Sequence, residues 1–140
     1  MQGMDAFESH PARDAARASM TAVEAGDRTA WLALFAPDAI VEDPIGPSMF
    51  DETGNGHRGP DAIAAFYDNV ISSGRIEFAI RESYAGGNEC ANVGTITTTL
   101  PDGSRAIVDG IYTYRVDDDG RVIALRAYWE PAHMRFETAK

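Results

Sequence analysis

With 140 residues, 44% of them apolar and 24% charged, the chain suits one folded domain with a sizeable core and does not suit a disordered segment. Twenty-two acidic side chains against 12 basic ones leave a net charge of -10. That charge excludes nucleic acid and anionic membrane as partners, because both repel an acidic surface.

Along the chain, His10-Pro11 opens a helix with proline in the favourable first turn. Ala12, Ala16, Met20 and Val23 recur at helical spacing, and Gly26 ends the run. Asp27 caps a second, short helix whose apolar face is Trp31, Leu34 and Phe35, and Pro37 stops it. Ile40-Val41 predicts a short strand, closed by Asp43-Pro44 because the residue before proline is driven to extended geometry. After the glycine-rich stretch "DETGNGHRG", Gly59-Pro60-Asp61 starts a third helix. Its Ile63, Phe66, Tyr67, Val70 and Ile71 fall at i, i+3, i+4, i+7 and i+8.

From Arg75 the period changes to that of strands, predicted over 76–84, 91–100, 105–116 and 122–130. "PDGS" and "DDDGR" sit between apolar runs and read as hairpin turns. Three helices followed by a meander predict an α+β fold: a cone-shaped, strongly curved, mostly antiparallel sheet with the helices on one face, enclosing a pocket. Residues 1–140 form one domain in this reading, with 1–10 and 131–140 as peripheral tails. No apolar run reaches the roughly 18 residues of a spanning helix, and the N-terminus lacks a secretion-signal pattern. Cys90 alone allows no internal disulfide, which fits a cytoplasmic location. His10, His57 and His133 are scattered without zinc spacing, so no metal is expected.

Two adjacent acids, Glu42 and Asp43, end the first strand. Alternation sends them to opposite sides, so one is an ordinary surface acid. The other is either a turn acid before proline or a base in a pocket, where desolvation would make it a stronger one.

"VEAGDRTAWLALFAPDAIVEDPIG" (23–46) resembles the corresponding segment of Δ5-3-ketosteroid isomerases, within the nuclear-transport-factor-two-like (SnoaL-like) superfamily. "GPDAIAAFYDNV" and "IYTYRVDDDGRVIALRAYW" are similar to that family in order and spacing, so the resemblance spans about residues 12 to 130. It implies a cone fold, often dimeric, and a proton moved between two carbons of a ketosteroid through a dienolate. Enzymes of this kind are a known example of environments that drive carboxyl pKa values apart. The resemblance puts the base on Asp43, with Glu42 facing away. The family's oxyanion tyrosine falls on Ser19 and its oxyanion aspartic acid on Tyr112, so the base is kept and the usual donor pair is not.

Tyr112 shares a strand face with Val108, Gly110 and Tyr114. Its phenol is either an oxyanion donor or a core aromatic with its hydroxyl satisfied elsewhere. Ser19 shares a helix face with Ala16 and Val23, although a helical serine often bonds back to its own turn. Phe66 and Tyr67 are expected at the pocket, with Tyr67 able to reach into the space that the small Ser19 leaves. Leu125 and Trp129 share a face of the last strand, with Ala127 between them; the resemblance places that face in the pocket, with Arg126 and Tyr128 pointing out towards a partner subunit. Thr95, Thr97 and Thr99 alternate on one face of the middle strand, and would make the pocket polar if that face turned inwards. His57 and Arg58 lie in the glycine-rich loop, which is longer than the family pattern and long enough to form a lid, and His57 itself reads as exposed. Cys90 has no basic neighbour to activate it and reads as structural.

The resulting expectation is a cofactor-independent steroid Δ-isomerase-like enzyme in which Asp43 moves the proton and Tyr112, joined by Tyr67, polarises the carbonyl oxygen as an atypical oxyanion hole. Its expected substrate is a steroid or another polycyclic ketone, and its expected state a homodimer. The alternatives are a non-catalytic binding protein for steroid-like ligands and a superfamily relative such as a polyketide cyclase, dehydratase or epoxide hydrolase. An epoxide hydrolase would want an inward arginine between two acids, and the sequence offers none.

Overall fold

The computed structural model describes residues 4–139. α1 spans Pro11–Ala25, with Pro11 in the first turn and the His10 Nδ1 accepting the Ala12 N–H at 3.1 Å. It ends at Gly26, whose φ of 68° lets its N–H reach back to the carbonyls of Ala22 and Val23. Asp27 caps α2 (Arg28–Leu32) by accepting the Ala30 N–H at 3.0 Å. Its Trp31 is driven into the core.

β1 runs Phe35–Glu42, longer than the sequence predicts, and it includes Pro37. Proline is tolerated there because the pairing of β1 with β6 (Val122–Tyr128) shifts register between Phe35 and Ile40. β2 (His57–Arg58) pairs with β1 and leads directly into α3 (Gly59–Asn69). α3 ends sooner than its apolar periodicity implies, and Ile71–Ser73 form a 3-10 turn. β3 (Arg75–Gly86), β4 (Glu89–Thr99) and β5 (Arg105–Val116) then form an antiparallel meander.

The sheet order is β2-β1-β6-β5-β4-β3, antiparallel except for the β1–β6 pair. Residues 131–137, read from the sequence as part of a tail, carry a 3-10 turn (Pro131–His133) and a seventh strand, β7 (Arg135–Glu137). β7 pairs with the start of β5, the stretch that β6 leaves free. The result is the expected α+β cone, three helices against a curved, unclosed sheet.

The bend has a local cause. Gly94 of β4 pairs with Gly110 of β5, and the β3 partner of Gly94, Ile80, adjoins a register shift. A Cβ on Gly94 would overlap the Ala79 carbonyl, and one on Gly110 would overlap the Tyr128 carbonyl. Neighbouring backbone can close over these positions only because they are bare. α1 and α3 pack against the concave face, in one core cluster that includes Ala16, Met20, Trp31, Phe66, Tyr114 and Val122.

Among the described residues, no helix is long and apolar enough to cross a membrane. Cys90 is a buried free thiol, and burial pushes its pKa up, away from reactivity.

Candidate active site

The concave face, the helices and β7 enclose a cavity of about 350 Å³. Its walls are mostly aliphatic and aromatic, with Phe78 and Ile96 from the sheet and Val70 and Ile71 from the end of α3. Asp43 is the one carboxyl on its wall among the described residues, and no arginine or lysine lines it.

Asp43 lies just past the end of β1, on the side to which Val41 turns, and the backbone beyond Pro44 is tied to β6 by the Ile45 N–H on the Ala127 carbonyl at 3.0 Å. The carboxyl is half-buried, and its open side faces the cavity. The Trp129 Nε1 donates to Asp43 Oδ1 at 2.7 Å. Burial pushes the Asp43 pKa up, because an enclosed carboxylate loses its water. The Trp129 N–H and the nearby His57 work against that rise without cancelling it. Such a group is a stronger base than a solvated aspartate.

Glu42, one residue earlier, has the opposite surroundings. Its carboxylate accepts the Arg126 Nε at 2.8 Å on the outer side of the sheet, across the register pair of β1 and β6.

Ser19, Asp43, Phe66, Tyr112, Leu125 and Trp129 all line the cavity. Tyr67 does not: it is buried behind Trp31, the two rings 5.5 Å apart. Tyr112 faces inwards with Val108 and Tyr114, while Asp109 and Ile111 are exposed on the other face. Its hydroxyl donates to the Val108 carbonyl four residues earlier, at 3.3 Å. The Ser19 Oγ accepts the Trp31 Nε1 at 3.0 Å and lies 2.9 Å from the Tyr114 hydroxyl, so its partners lie outside its own helix. Burial and the Asp43 charge push both phenols well above the ordinary tyrosine value, so both keep their protons at neutral pH.

The threonine face turns outwards. Thr95 bonds to Asp109 and accepts from Arg81 on the convex side, whereas Ile96 and Thr98 are the residues of β4 that meet the cavity. The pocket is therefore mostly apolar. His57 is half-buried and not exposed as expected, because its ring packs 4.7 Å from that of Phe66. The loop before it contributes Met49 and Phe50 to the cavity wall, and the Phe50 ring lies 6.2 Å from that of Trp129.

Sequence reasoning missed Trp31, Tyr114 and Phe136 as lining residues. Tyr114 carried a usable signal, since it shares the strand face of Tyr112. Phe136 carried none. No group of three His, Cys, Asp or Glu among the described residues is placed to hold a metal ion.

Residues 16–125 match the SnoaL-like domain family. A steroid Delta-isomerase of Nocardioides simplex is 30% identical over 115 residues, covering 82% of this chain and 86% of that protein. The crystal structure of a Δ5-3-ketosteroid isomerase from Mycobacterium sp. superposes with a TM-score of 0.88 at 40% identity, covering 92% of this chain and all of that one. A Mycobacterium tuberculosis protein solved in complex with estradiol-17β-hemisuccinate is 35% identical, with a TM-score of 0.87 and coverage of 91% and 100%.

Proposed function

The chain belongs to the SnoaL-like domain family, and on that premise we propose that it is a ketosteroid-isomerase-like enzyme with Asp43 as its general base. The observation that carries this reading is a lone carboxyl on the wall of an apolar cavity, oriented by the Trp129 N–H and made more basic by burial. Similarity to steroid isomerases supports the substrate class.

A polycyclic ketone enters the cavity with its carbonyl towards the tyrosines. The Asp43 carboxylate takes an α-proton, the C–H electron pair moves into the carbonyl, and a dienolate forms with its charge on oxygen. The Asp43 carboxylic acid then returns the same proton to the far carbon of the conjugated system, and the electrons flow back to restore the ketone. Atoms balance without an external acid or base, and the carbonyl serves as electron sink. A hydrogen bond to the oxygen lowers the barrier only to the extent that it strengthens as charge develops there.

The reading is tested with a Δ5-3-ketosteroid, following the absorbance of the conjugated enone. Asp43→Asn keeps the shape and the Trp129 contact but cannot accept a proton, and kcat should fall by about a thousandfold or more, the scale of losing a positioned base. Turnover surviving that change would remove Asp43 from the role. A second reading, a non-catalytic binder of steroid-like ligands, has its own support: the Tyr112 hydroxyl already has a protein partner. For a binder, wild type would take up the steroid without converting it.

The same proposal extends to a homodimer through the convex face of the sheet, where Tyr84, Ile111 and Tyr128 stand exposed. Light scattering that returned a monomer's mass at micromolar concentration would remove it.

A further inference from the structure

We propose that Tyr114, held by Ser19 and Trp31, is the hydroxyl that hydrogen-bonds the substrate oxygen as it becomes negative. This rests on the isomerase reading and replaces the donor that the family would place at position 19.

Proton accounting leads to it. The Trp31 Nε1 has a hydrogen and no lone pair to share, so it can only donate, and it does so to Ser19 Oγ at 3.0 Å. Ser19 and Tyr114 then share one bond of 2.9 Å. Three polar hydrogens serve two bonds, which leaves one hydroxyl hydrogen over. Among the described residues, Ser19 makes no bond to its own helical turn that would absorb it. All three side chains are buried and all three line the cavity, so the spare hydrogen has the cavity to point into.

An oxyanion in the cavity selects which hydroxyl supplies that hydrogen. With Ser19 donating to Tyr114, the chain runs indole N–H to serine to phenol to substrate oxygen, and every member donates in the same direction. A phenol is the more acidic and hence the stronger donor of the two, and each upstream bond polarises the next. Reversing the middle bond would leave an aliphatic alcohol to do the work. Tyr114 is the catalytic residue here, while Ser19 and Trp31 position it. The shortness of Ser19 is part of the device, because a longer side chain at that point of α1 would meet the Tyr114 hydroxyl. Tyr112 is differently placed, with its hydroxyl spent on the carbonyl of its own strand.

The probe is 2-naphthol, a planar phenol whose fluorescence distinguishes the neutral from the ionised form, bound to Asp43→Asn protein so that no carboxylate repels the anion. The naphtholate-to-naphthol ratio should fall about tenfold or more with Tyr114→Phe, by less with Ser19→Ala, and by under about threefold with Tyr112→Phe. In the otherwise wild-type enzyme, Tyr114→Phe should lower kcat about a hundredfold with KM nearly unchanged. If the phenylalanine variant does not fold, 3-fluorotyrosine placed at 114 keeps the hydroxyl, and its fluorine resonance should move on naphthol binding while one at 112 stays. A ratio that Tyr114→Phe leaves intact, or a resonance that moves at 112 and not at 114, overturns the proposal. Absence of ketosteroid turnover in wild type would defeat the isomerase reading, and the naphthol ratio would still decide for or against Tyr114.

Discussion

Glu42 and Asp43 are neighbours in sequence and opposites in environment. Glu42 lies on the convex side with its charge matched by Arg126, and its side chain is only 13% exposed. Asp43 faces the cavity, and its polar partner there is the indole N–H of Trp129. An ion pair satisfies a charge and fixes it. A single neutral donor in an apolar pocket leaves the charge costly, and so leaves the proton easy to accept. One peptide step across a strand therefore separates an acid that contributes to stability from one that costs stability in exchange for basicity.

The largest expected effect comes from removing the hydrogen bond that Trp129 gives the inner acid. Trp129→Phe takes away the N–H and keeps an aromatic wall. A hydrogen bond to a charged acceptor is worth about 1.5 to 3 kcal/mol, so the acid limb of the kcat/KM profile should move about one pH unit or more to higher pH. The direction follows from the chemistry: losing the donor disfavours the carboxylate, and the base then needs a higher pH to ionise. A limb that stayed in place would mean that the two acids differ for some reason other than their partners.

A smaller effect, and a sharper one, is a pair of opposite signs in stability. Glu42→Gln breaks the pair with Arg126 and should destabilise the fold by about 1 kcal/mol. Asp43→Asn should do the reverse at neutral pH. The Asp43 pKa is raised in the folded state, so the fold binds its proton more tightly than the unfolded chain does. Stability is therefore lost as pH climbs from the ordinary carboxylate value through the folded one, and an amide escapes that loss. Melting curves of both variants at pH 3.5 and pH 7.5 check this. The Asn variant should exceed wild type at the higher pH only. Equal signs for the two variants would dissolve the contrast.

How much of this the sequence carries depends on how strongly its residues choose a face. α1 is legible because proline and glycine mark its ends, and β5 because Val108, Tyr112 and Tyr114 share one face while Asp109, Thr113 and Arg115 fall on the other. β4 is ambiguous: Thr95, Ile96, Thr97, Thr98 and Thr99 are all β-branched, so either face could be the inner one, and only pairing with β3 and β5 fixes the phase. β1 looks shorter than it is because Pro37 imitates a stop, and the register shift that accommodates it is a tertiary feature. β7 is three residues long and exposed throughout, and nothing local distinguishes it from a loop. Alternation says that Glu42 and Asp43 part ways and the family resemblance says which turns inwards, but the partner of Asp43 is 86 residues away, and no spacing rule connects it to Trp129.

β7 is fastened to the cavity wall partly by exposed charge. Phe136 lines the cavity although it is 68% exposed, and its strand is held to β5 through Arg135 with Asp109 and Arg105 with Glu137, ion pairs that water reaches. Dissolved salt screens such pairs, whereas the enclosed carboxyl is shielded from it. Dissolved salt therefore loosens the side-chain ties of β7 to β5, while the backbone ladder between them and the Asp43–Trp129 contact stay in place.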